Sequence, residues 1–213
     1  MEKILYQTDQ PYFTTAYLLS LFRSYKSPRD KIKNAVKNGD LIKVKQGFYI
    51  LGLDYKRSFS KEVLSGMLYG PSAVSLEYAL SFHGLIPERV ERVTCLCFKK
   101  NKIFNTPVGC FSYKFISANK YSIGIEYRQT VLGNFFIAGP EKALSDKVYF
   151  SRITDRVGME KYLFEELRIE PDALLKLDLS LLTRISEVYR RRNITFLLNT
   201  ITKMQHKQGA VYA

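Results

Sequence analysis

The chain has 213 residues, and its 33 Lys and Arg against 20 Asp and Glu give a net charge of +13. This excess favours a polyanionic partner such as nucleic acid, without choosing between DNA and RNA. The sequence has no apolar run of about 18 residues and no leader with a cleavage site, so we expect a cytoplasmic protein with no membrane partner. At 46% hydrophobic residues the chain can bury a sizeable core, and we expect two domains.

Two supporting helices are predicted first along the chain. Residues 2–7 can form a short helix with Ile4 and Leu5 facing inward. Residues 12–22 carry apolar side chains at helical spacing, and Thr14 or Thr15 can cap the start of that helix. Both helices would support the segment that follows them.

A basic helix is predicted from Pro28 to Asn38. Ser27 can cap its first turn through the side chain, Pro28 suits the first helical position, and Gly39 suits the left-handed residue just past the end. The wheel groups apolar side chains on one side and presents a basic, amide-bearing face on the other, which includes Lys33, Asn34, Lys37 and Asp30. Arg29 of the same helix is a further candidate DNA contact. Lysine suits phosphates or guanine acceptors, and Asn can pair with adenine, so this face suits a DNA groove.

A β-hairpin is predicted directly after the basic helix. Residues 41–45 and 48–51 alternate as strands around a two-residue Gln46-Gly47 turn, where Gly supplies the positive φ of a tight hairpin. We expect Lys43 and Lys45 to share one face of this hairpin. These side chains and the turn would contact the DNA backbone or the minor groove.

These elements together predict a winged helix-turn-helix domain over residues 1–55. Its DNA-binding residues would be Arg29, Lys33, Asn34, Lys37, Lys43, Lys45, Gln46 and Gly47. The simpler alternative, a helix and hairpin whose lysines only form a solvated surface, stays open. Residues 1–57 carry net +6 and residues 58–213 carry net +7, so the charge density is higher in the first part.

Residues 56–213 are predicted to form a second, mixed α/β domain. Helices are expected over 60–69 and from Ser72 to about Phe82, followed by strands over 93–98, 111–116, 123–127 and 131–138. A helix over 141–150 and a helical C-terminal part over 159–167, 172–175, 180–191 and 193–204 complete the α+β prediction. The last residues, 205–213, lack apolar periodicity and are expected to fray.

A second basic concentration lies near the end of the chain. It includes Arg190, Arg191 and Arg192, with Lys203 and Lys207 further along. This concentration is either a solvated helix end or a surface for nucleic acid or a protein partner. The sequence leaves both alternatives open.

No catalytic, cofactor or metal signature stands out. The sequence lacks a Gly-rich phosphate loop, a Gly-x-Ser-x-Gly elbow and a His-Glu-x-x-His motif, and His83 before Gly84 suits the end of a helix better than catalysis. Cys95, Cys97 and Cys110 lack metal-type spacing, and Cys95 and Cys97, on the same side of a predicted strand, are more simply small buried hydrophobes. We therefore expect no enzymatic activity, no cofactor and no metal.

Three stretches resemble one family. The segments Gly39-Asp40-Leu41-Ile42-Lys43-Val44-Lys45-Gln46-Gly47-Phe48-Tyr49, Ser72 to Ile86 and Ala138-Gly139-Pro140-Glu141-Lys142-Ala143-Leu144-Ser145-Asp146 are similar to the AbiE-type antitoxins and regulators of type IV toxin–antitoxin systems. The resemblance covers about residues 10–200, and Gln46 stands where family members more often carry a basic residue. It implies a repressor that binds repeats in its own promoter and counters a nucleotidyltransferase toxin without necessarily touching it.

The sequence therefore predicts a sequence-specific, double-stranded-DNA-binding repressor that is also an antitoxin. One rival interpretation is an RNA-binding or protein-interaction module without promoter binding, since Tyr among basic residues can stack unpaired bases. Another is an enzyme of unrecognised type. The oligomeric state and the operator are not specified by the sequence.

Overall fold

A computed structural model describes residues 5, 8, 10–55 and 58–211 and has an α+β architecture with two sheets. The helix predicted over residues 2–7 falls outside the described residues except for Leu5, which is helical and buried. Within the described residues, no helix combines the length and the apolar character needed to cross a bilayer.

The N-terminal part is a three-stranded antiparallel sheet with two helices. In chain order its elements are β1 (Tyr12–Thr14), α1 (Thr15–Leu21), α2 (Pro28–Lys37), β2 (Leu41–Lys45) and β3 (Phe48–Leu51), followed by a 3-10 turn (Leu53–Tyr55). The strand order is β1-β3-β2, so the β2–β3 hairpin is completed by the strand that precedes both helices.

Local signals set the ends of these elements, with one exception. The Thr14 side chain accepts a hydrogen bond from the Tyr17 amide, which confirms the predicted cap of α1. Gly39 and Gly47 both have φ +79°, as predicted. The predicted side-chain cap by Ser27 is wrong, because the Ser27 hydroxyl donates to the Asp30 carboxylate at 2.6 Å instead.

The small sheet buries both of its faces, against different parts of the chain. Phe13, Tyr49 and Leu51 pack with Ile32 and Ala35 of α2 in one hydrophobic cluster. The alternate side chains of the same strands belong to the main core of the protein, where they meet the next helix; these are Tyr12, Val44, Phe48 and Ile50. Because successive side chains of a strand point to opposite faces, the three strands of the small sheet lie between two hydrophobic clusters.

The larger sheet has six strands and is mixed. Its strands and the helices between them are α3 (Lys61–Leu68), β4 (Ser72–Val74), α4 (Leu76–Phe82), β5 (Val93–Cys97), β6 (Lys102–Thr106), β7 (Gly109–Phe115), α5 (Ala118–Tyr121), β8 (Ile125–Thr130) and β9 (Gly133–Ala138). The strand order is β6-β7-β5-β4-β9-β8. The β8–β9 hairpin is antiparallel, as predicted. Cys95 and Cys97 are buried in β5, which fits their prediction as small hydrophobes.

Two strands of this sheet differ from the sequence prediction. Residues 72–74 were expected to open a helix but form β4, because they pair with β5 on one side and β9 on the other. Strand β6 was not predicted, since its residues are mostly exposed at a sheet edge and do not alternate polar with apolar. It pairs with β7 in a tight hairpin, whereas β4 depends on partners that are more distant in sequence.

The C-terminal part is helical, with α6 (Pro140–Tyr149), α7 (Arg156–Lys161), a π turn (Tyr162–Glu166), α8 (Pro171–Leu175), α9 (Leu179–Tyr189) and α10 (Arg192–Val211). The predicted fraying after residue 204 is wrong up to residue 211, because α10 continues through this stretch. Gln205 explains part of this order: its amide donates to the carbonyl of Leu177 at 2.9 Å, after the end of α8. Residues 212 and 213 lie outside the described part.

A buried ion pair lies where α6 meets its neighbours. The ammonium of Lys142 is 2.5 Å from the Asp146 carboxylate, and both side chains have no exposed surface. Ser75, just before α4, donates to the other carboxylate oxygen at 2.6 Å. The Tyr189 hydroxyl of α9 accepts from Lys142 and donates to Asp146. One helix is thereby connected to two others through polar groups that water does not reach.

Burial acts against both charges of this pair. It lowers the pKa of Lys142 and raises the pKa of Asp146, while the ion pair and the hydrogen bonds oppose both shifts. Desolvation of such a pair costs several kcal/mol per ion, so its hydrogen bonds must be complete. Removing one member leaves an uncompensated charge in the core.

We expect Asp146→Ala to lower the free energy of unfolding by about 3–5 kcal/mol, because Lys142 would stay buried without its counter-ion. The double variant Lys142→Met with Asp146→Leu should lose much less, since apolar side chains of similar size replace both charges. Tyr189→Phe is the matched control and removes hydrogen bonds only. Denaturant unfolding followed by circular dichroism measures all three. A double variant as unstable as Asp146→Ala would contradict this account.

Candidate nucleic-acid interface

Helix α2 presents one basic stripe to solvent. Its buried side chains, Ile32 and Ala35, contact the small sheet. Arg29, Lys33 and Lys37 are exposed and follow one another at four-residue spacing, so they lie on one side of the helix. Asn34 is also exposed and lies beside this stripe. The structure therefore brings together all four residues that the sequence predicted on this helix.

One acidic side chain partly neutralises the stripe. The Asp30 carboxylate lies 3.6 Å from the ammonium of Lys33, and both side chains are highly exposed. The Ser27 hydroxyl and then Lys33 hold the pKa of Asp30 below its usual range. Asp30 is therefore ionised at neutral pH, and it lowers the positive potential where the stripe begins.

Lys43 of β2 lies on the same side of the small sheet as α2. It pairs with Tyr49 across the hairpin, and Tyr49 belongs to the cluster that α2 covers. Directly opposite residues of an antiparallel pair project to the same face. Lys43 is exposed and is therefore available beside the basic stripe.

The hairpin turn has a defined position. The Gly47 carbonyl accepts a hydrogen bond from the Thr15 amide at 3.0 Å, which connects the turn to the start of α1. Gln46 is exposed at the turn, and Gly47 is half-buried. The turn thus presents an amide side chain and backbone groups beside Lys43, and no charge.

Lys45 does not share a face with Lys43, so that part of the sequence prediction is wrong. A β-bulge shifts the register between them: Lys43 pairs with Tyr49, whereas Lys45 pairs with Phe48. The extra residue of a bulge re-aims the side chains that follow it. Lys45 Nζ donates to the carbonyls of Met67, at 3.4 Å, and Leu68, at the end of α3. It lies on the opposite side of the small sheet from the stripe.

Arg190 and Arg191 form the turn between α9 and α10, and Arg192 is the first residue of α10. All three are exposed. Arg190 Nε donates to the carbonyl of Glu187 at 3.3 Å, and the guanidinium groups of Arg191 and Arg192 lie over aromatic rings of Tyr149 and Phe196. Each arginine thus has an intramolecular role in the helical layer, and we leave this group outside the candidate interface.

One contribution near α2 was not visible in the sequence. Tyr25, in the turn before the helix, is exposed, and the Lys31 ammonium lies 4.6 Å from the centre of its ring. The Tyr25 ring also packs edge-on against Phe22 at 5.8 Å. These contacts order the turn and extend the basic surface by one aromatic side chain. Tyr25 and Lys31 are six residues apart, a spacing that matches neither a helical nor a strand period, so the sequence pattern did not indicate their contact.

Among the described residues, no group of three or more His, Cys, Asp or Glu side chains is placed to hold a metal ion. His83 is the residue after the last turn of α4, and its Nε2 lies 2.8 Å from the Ala138 carbonyl oxygen.

No protein-family model matches the chain, and no curated protein has a detectably similar sequence. The candidate interface therefore depends on geometry and charge.

The two lysines of β2 give a matched test of this geometry. We expect Lys43→Gln to weaken binding to duplex DNA several-fold and to reduce the salt dependence by about 0.9 in log–log slope, as for one lost phosphate contact. Lys45→Gln should leave that slope unchanged, because its ammonium contacts α3. Fluorescence anisotropy titrations at several salt concentrations measure both. Equal effects of the two changes would contradict the bulge-based assignment.

Proposed function

We propose that this protein is a sequence-specific DNA-binding transcriptional repressor whose N-terminal part acts as a winged helix. The exposed stripe of Arg29, Lys33 and Lys37 on α2, with Asn34 beside it, is the observation that carries the proposal. Helix α2 would be the recognition helix, and the β2–β3 hairpin would be the wing. Double-stranded DNA of the protein's own promoter would be the partner.

The dimensions of α2 support this proposal. An α-helix with its side chains is about 10–12 Å across and the major groove is about 12 Å wide, so α2 can enter the groove with its exposed face, which is about 15 Å long over ten residues. The helix contacts the sheet through its opposite side, which orients the cationic stripe away from the core. The strand order β1-β3-β2 places the hairpin directly beside the helix.

Different side chains would have different tasks on the duplex. Asn34 can pair with adenine through two hydrogen bonds, and Lys33 or Lys37 can donate to guanine O6 and N7 or to phosphates. Arg29 suits the phosphate backbone near the start of the helix. Lys43 and the Gln46-Gly47 turn would contact the backbone or the minor groove. Lys45 has no part in this interface.

The antitoxin half of the proposal is supported by the family resemblance. One of its two most specific stretches, from Pro140 to Asp146, has a structural role here: Glu141, Lys142 and Asp146 are buried, and Glu141 accepts a hydrogen bond from the Asp178 amide at 2.9 Å. These three side chains belong to the interior and expose little surface to a toxin. A functional relation to a nucleotidyltransferase toxin without direct contact is compatible with that burial.

Co-expression tests the antitoxin half separately. If a nucleotidyltransferase gene adjoins this one, we expect its toxicity to be relieved when this protein is supplied from a second plasmid. A variant that cannot bind DNA should still relieve it if the two activities are separate. The lack of such a neighbouring gene, or toxicity that persists, would leave only the repressor.

The main prediction concerns the basic stripe. We expect the double variant Lys33→Gln with Lys37→Gln to lose at least tenfold in affinity for promoter duplex. If both lysines contact phosphates, the log–log salt slope should fall by about 1.8, and contacts to guanine would reduce this change. Footprinting locates the operator, and anisotropy at several salt concentrations measures the slope.

The matched control is Lys176→Gln with Arg184→Gln, which removes the same charge from two exposed positions in the C-terminal part of the chain. Its binding and slope should stay close to those of the wild type. A comparison of promoter duplex with RNA of the same sequence tests the RNA-binding alternative. Unchanged duplex binding in the Lys33/Lys37 variant would overturn the proposal.

Removing the acidic side chain beside the stripe should strengthen duplex binding, whereas removing the lysines should weaken it. We expect Asp30→Asn to tighten duplex binding by about two- to fivefold, since it removes a negative charge from the stripe and frees Lys33. The gain should shrink as salt rises, because screening weakens exposed charges. The same anisotropy titrations measure it, and weaker binding by this variant would show that Asp30 contacts DNA favourably.

A further inference from the structure

A second surface of the protein combines exposed aromatic rings with lysines. It lies on the larger sheet, where β5 and β7 end, and it surrounds a cleft of 540 Å³. We call it the aromatic–lysine platform and define it by Tyr69, Phe98, Lys99, Lys100, Lys102 and Phe115. The first five lie in or next to the connections at this end of the sheet, and Phe115 is the last residue of β7.

Two aromatic rings of the platform are exposed to solvent. Phe98 is 40% exposed and Phe115 is 52% exposed, although both adjoin strands whose other apolar residues are buried. Tyr121 packs edge-on against Phe98, with ring centres 4.4 Å apart, which restricts the Phe98 ring. Neighbouring exposed apolar rings are a feature of binding surfaces.

The platform is held in position by several hydrogen bonds. The Asn101 side-chain oxygen accepts from the Phe115 amide at 2.7 Å, and the Lys100 carbonyl accepts from the Tyr69 hydroxyl at 3.3 Å. Lys99 Nζ donates to the Gly70 carbonyl. The turn between β5 and β6 is therefore connected to β7 and to the segment after α3. An ordered surface loses little conformational entropy when it binds a ligand.

The charge of the platform is not compensated. Lys99 and Lys102 lie 5.2 and 5.9 Å from the centre of the Tyr69 ring. Lys45 is close as well: burial, followed by repulsion from Lys102 and Lys99, lowers its pKa. Among the described residues, no carboxylate forms an ion pair with these three lysines or with Lys100, whereas Lys33, Lys61, Lys147 and Lys161 each have such a partner.

We propose that the aromatic–lysine platform binds a short unpaired stretch of nucleic acid, whose bases stack on Phe98 and Phe115 and whose phosphates contact Lys99, Lys100 and Lys102. Unpaired bases expose their faces to aromatic side chains, and any base can stack. A duplex hides those faces in its own stack, so it could use only the lysines. The rings and the lysines together therefore favour a single strand, which RNA or single-stranded DNA can supply.

This site is separate from the stripe on α2. Lys45, the residue of the hairpin that lies near the platform, projects from the face of the small sheet opposite to Lys43. The proposal therefore does not depend on promoter binding, and the two sites can be tested in one protein.

The test uses the full chain and labelled homopolymeric strands of about 12 nucleotides, as RNA and as DNA. We expect Phe98→Ala with Phe115→Ala to weaken single-strand binding by at least about 25-fold, or fivefold per ring, while promoter duplex binding stays unchanged. Phe98→Tyr with Phe115→Tyr should keep most of the affinity, because it retains both rings. Phe82→Ala, at another exposed ring, is the matched control.

The lysines are tested in the same assay. We expect Lys99→Gln with Lys102→Gln to reduce the salt slope for single strands by about 1.4, and the Lys176→Gln with Arg184→Gln control to leave it unchanged. A preference for RNA over DNA would identify the sugar that the platform takes, and equal affinity would identify a general single-strand site. Either result supports the proposal when the aromatic variants lose binding.

Three results would overturn it. Single-strand binding that is unchanged in the Phe98/Phe115 alanine variant, with the fold intact by circular dichroism, would exclude the rings. A parallel loss of duplex affinity in that variant would make the platform part of the duplex surface. Full competition by adenosine monophosphate at the concentration of the strand would make it a mononucleotide site. Failure of the duplex prediction for α2 would leave the single-strand measurements with the aromatic and lysine variants unaffected, so the two proposals can fail separately.

Discussion

The buried pair of Lys142 and Asp146 is the constraint on which the larger part of the structure depends. Two charges without exposed surface are stable only when hydrogen bonds replace the hydration that they lose, and here Ser75 and Tyr189 add such bonds to the ion pair. These partners come from the start of α4 and the end of α9. These directional hydrogen bonds help to fix the position of the three helices relative to one another, which non-directional apolar packing specifies less strictly.

The small N-terminal sheet connects the two hydrophobic clusters of the described chain. One face packs on α2, and the other joins the core that contains Leu64 and Leu68 of α3. The Ser60 amide donates to the Tyr12 hydroxyl at 2.9 Å and closes this contact at the start of α3. Since both faces of the sheet are occupied, α2 has one open side, and the basic stripe occupies it. The orientation of the proposed DNA-binding surface follows from this packing.

The two basic surfaces differ in ways that suit different ligands. The stripe on α2 is a regular helical row with one amide and one nearby carboxylate, a composition that suits the grooves of a duplex. The aromatic–lysine platform is an irregular turn with exposed rings and uncompensated lysines, which suits unpaired bases. The lysines of the platform are only a few residues apart in the sequence, but Tyr69 and Phe115 come from other elements of the fold. Net charge alone could not have distinguished the two surfaces.

The sequence by itself determined the features that depend on local chemistry. Thr14 as a cap, Pro28 as a first helical residue and the positive φ of Gly39 and Gly47 all follow from a few neighbouring residues, as does the exposed stripe at four-residue spacing. Tertiary structure decided the rest. Strand β4 forms because β5 and β9 offer hydrogen bonds, the bulge turns Lys45 towards α3, and the four-residue spacing of Lys142 and Asp146 suits an exposed pair equally well. Burial and long-range pairing are properties of contacts between distant segments, and a local pattern does not contain them.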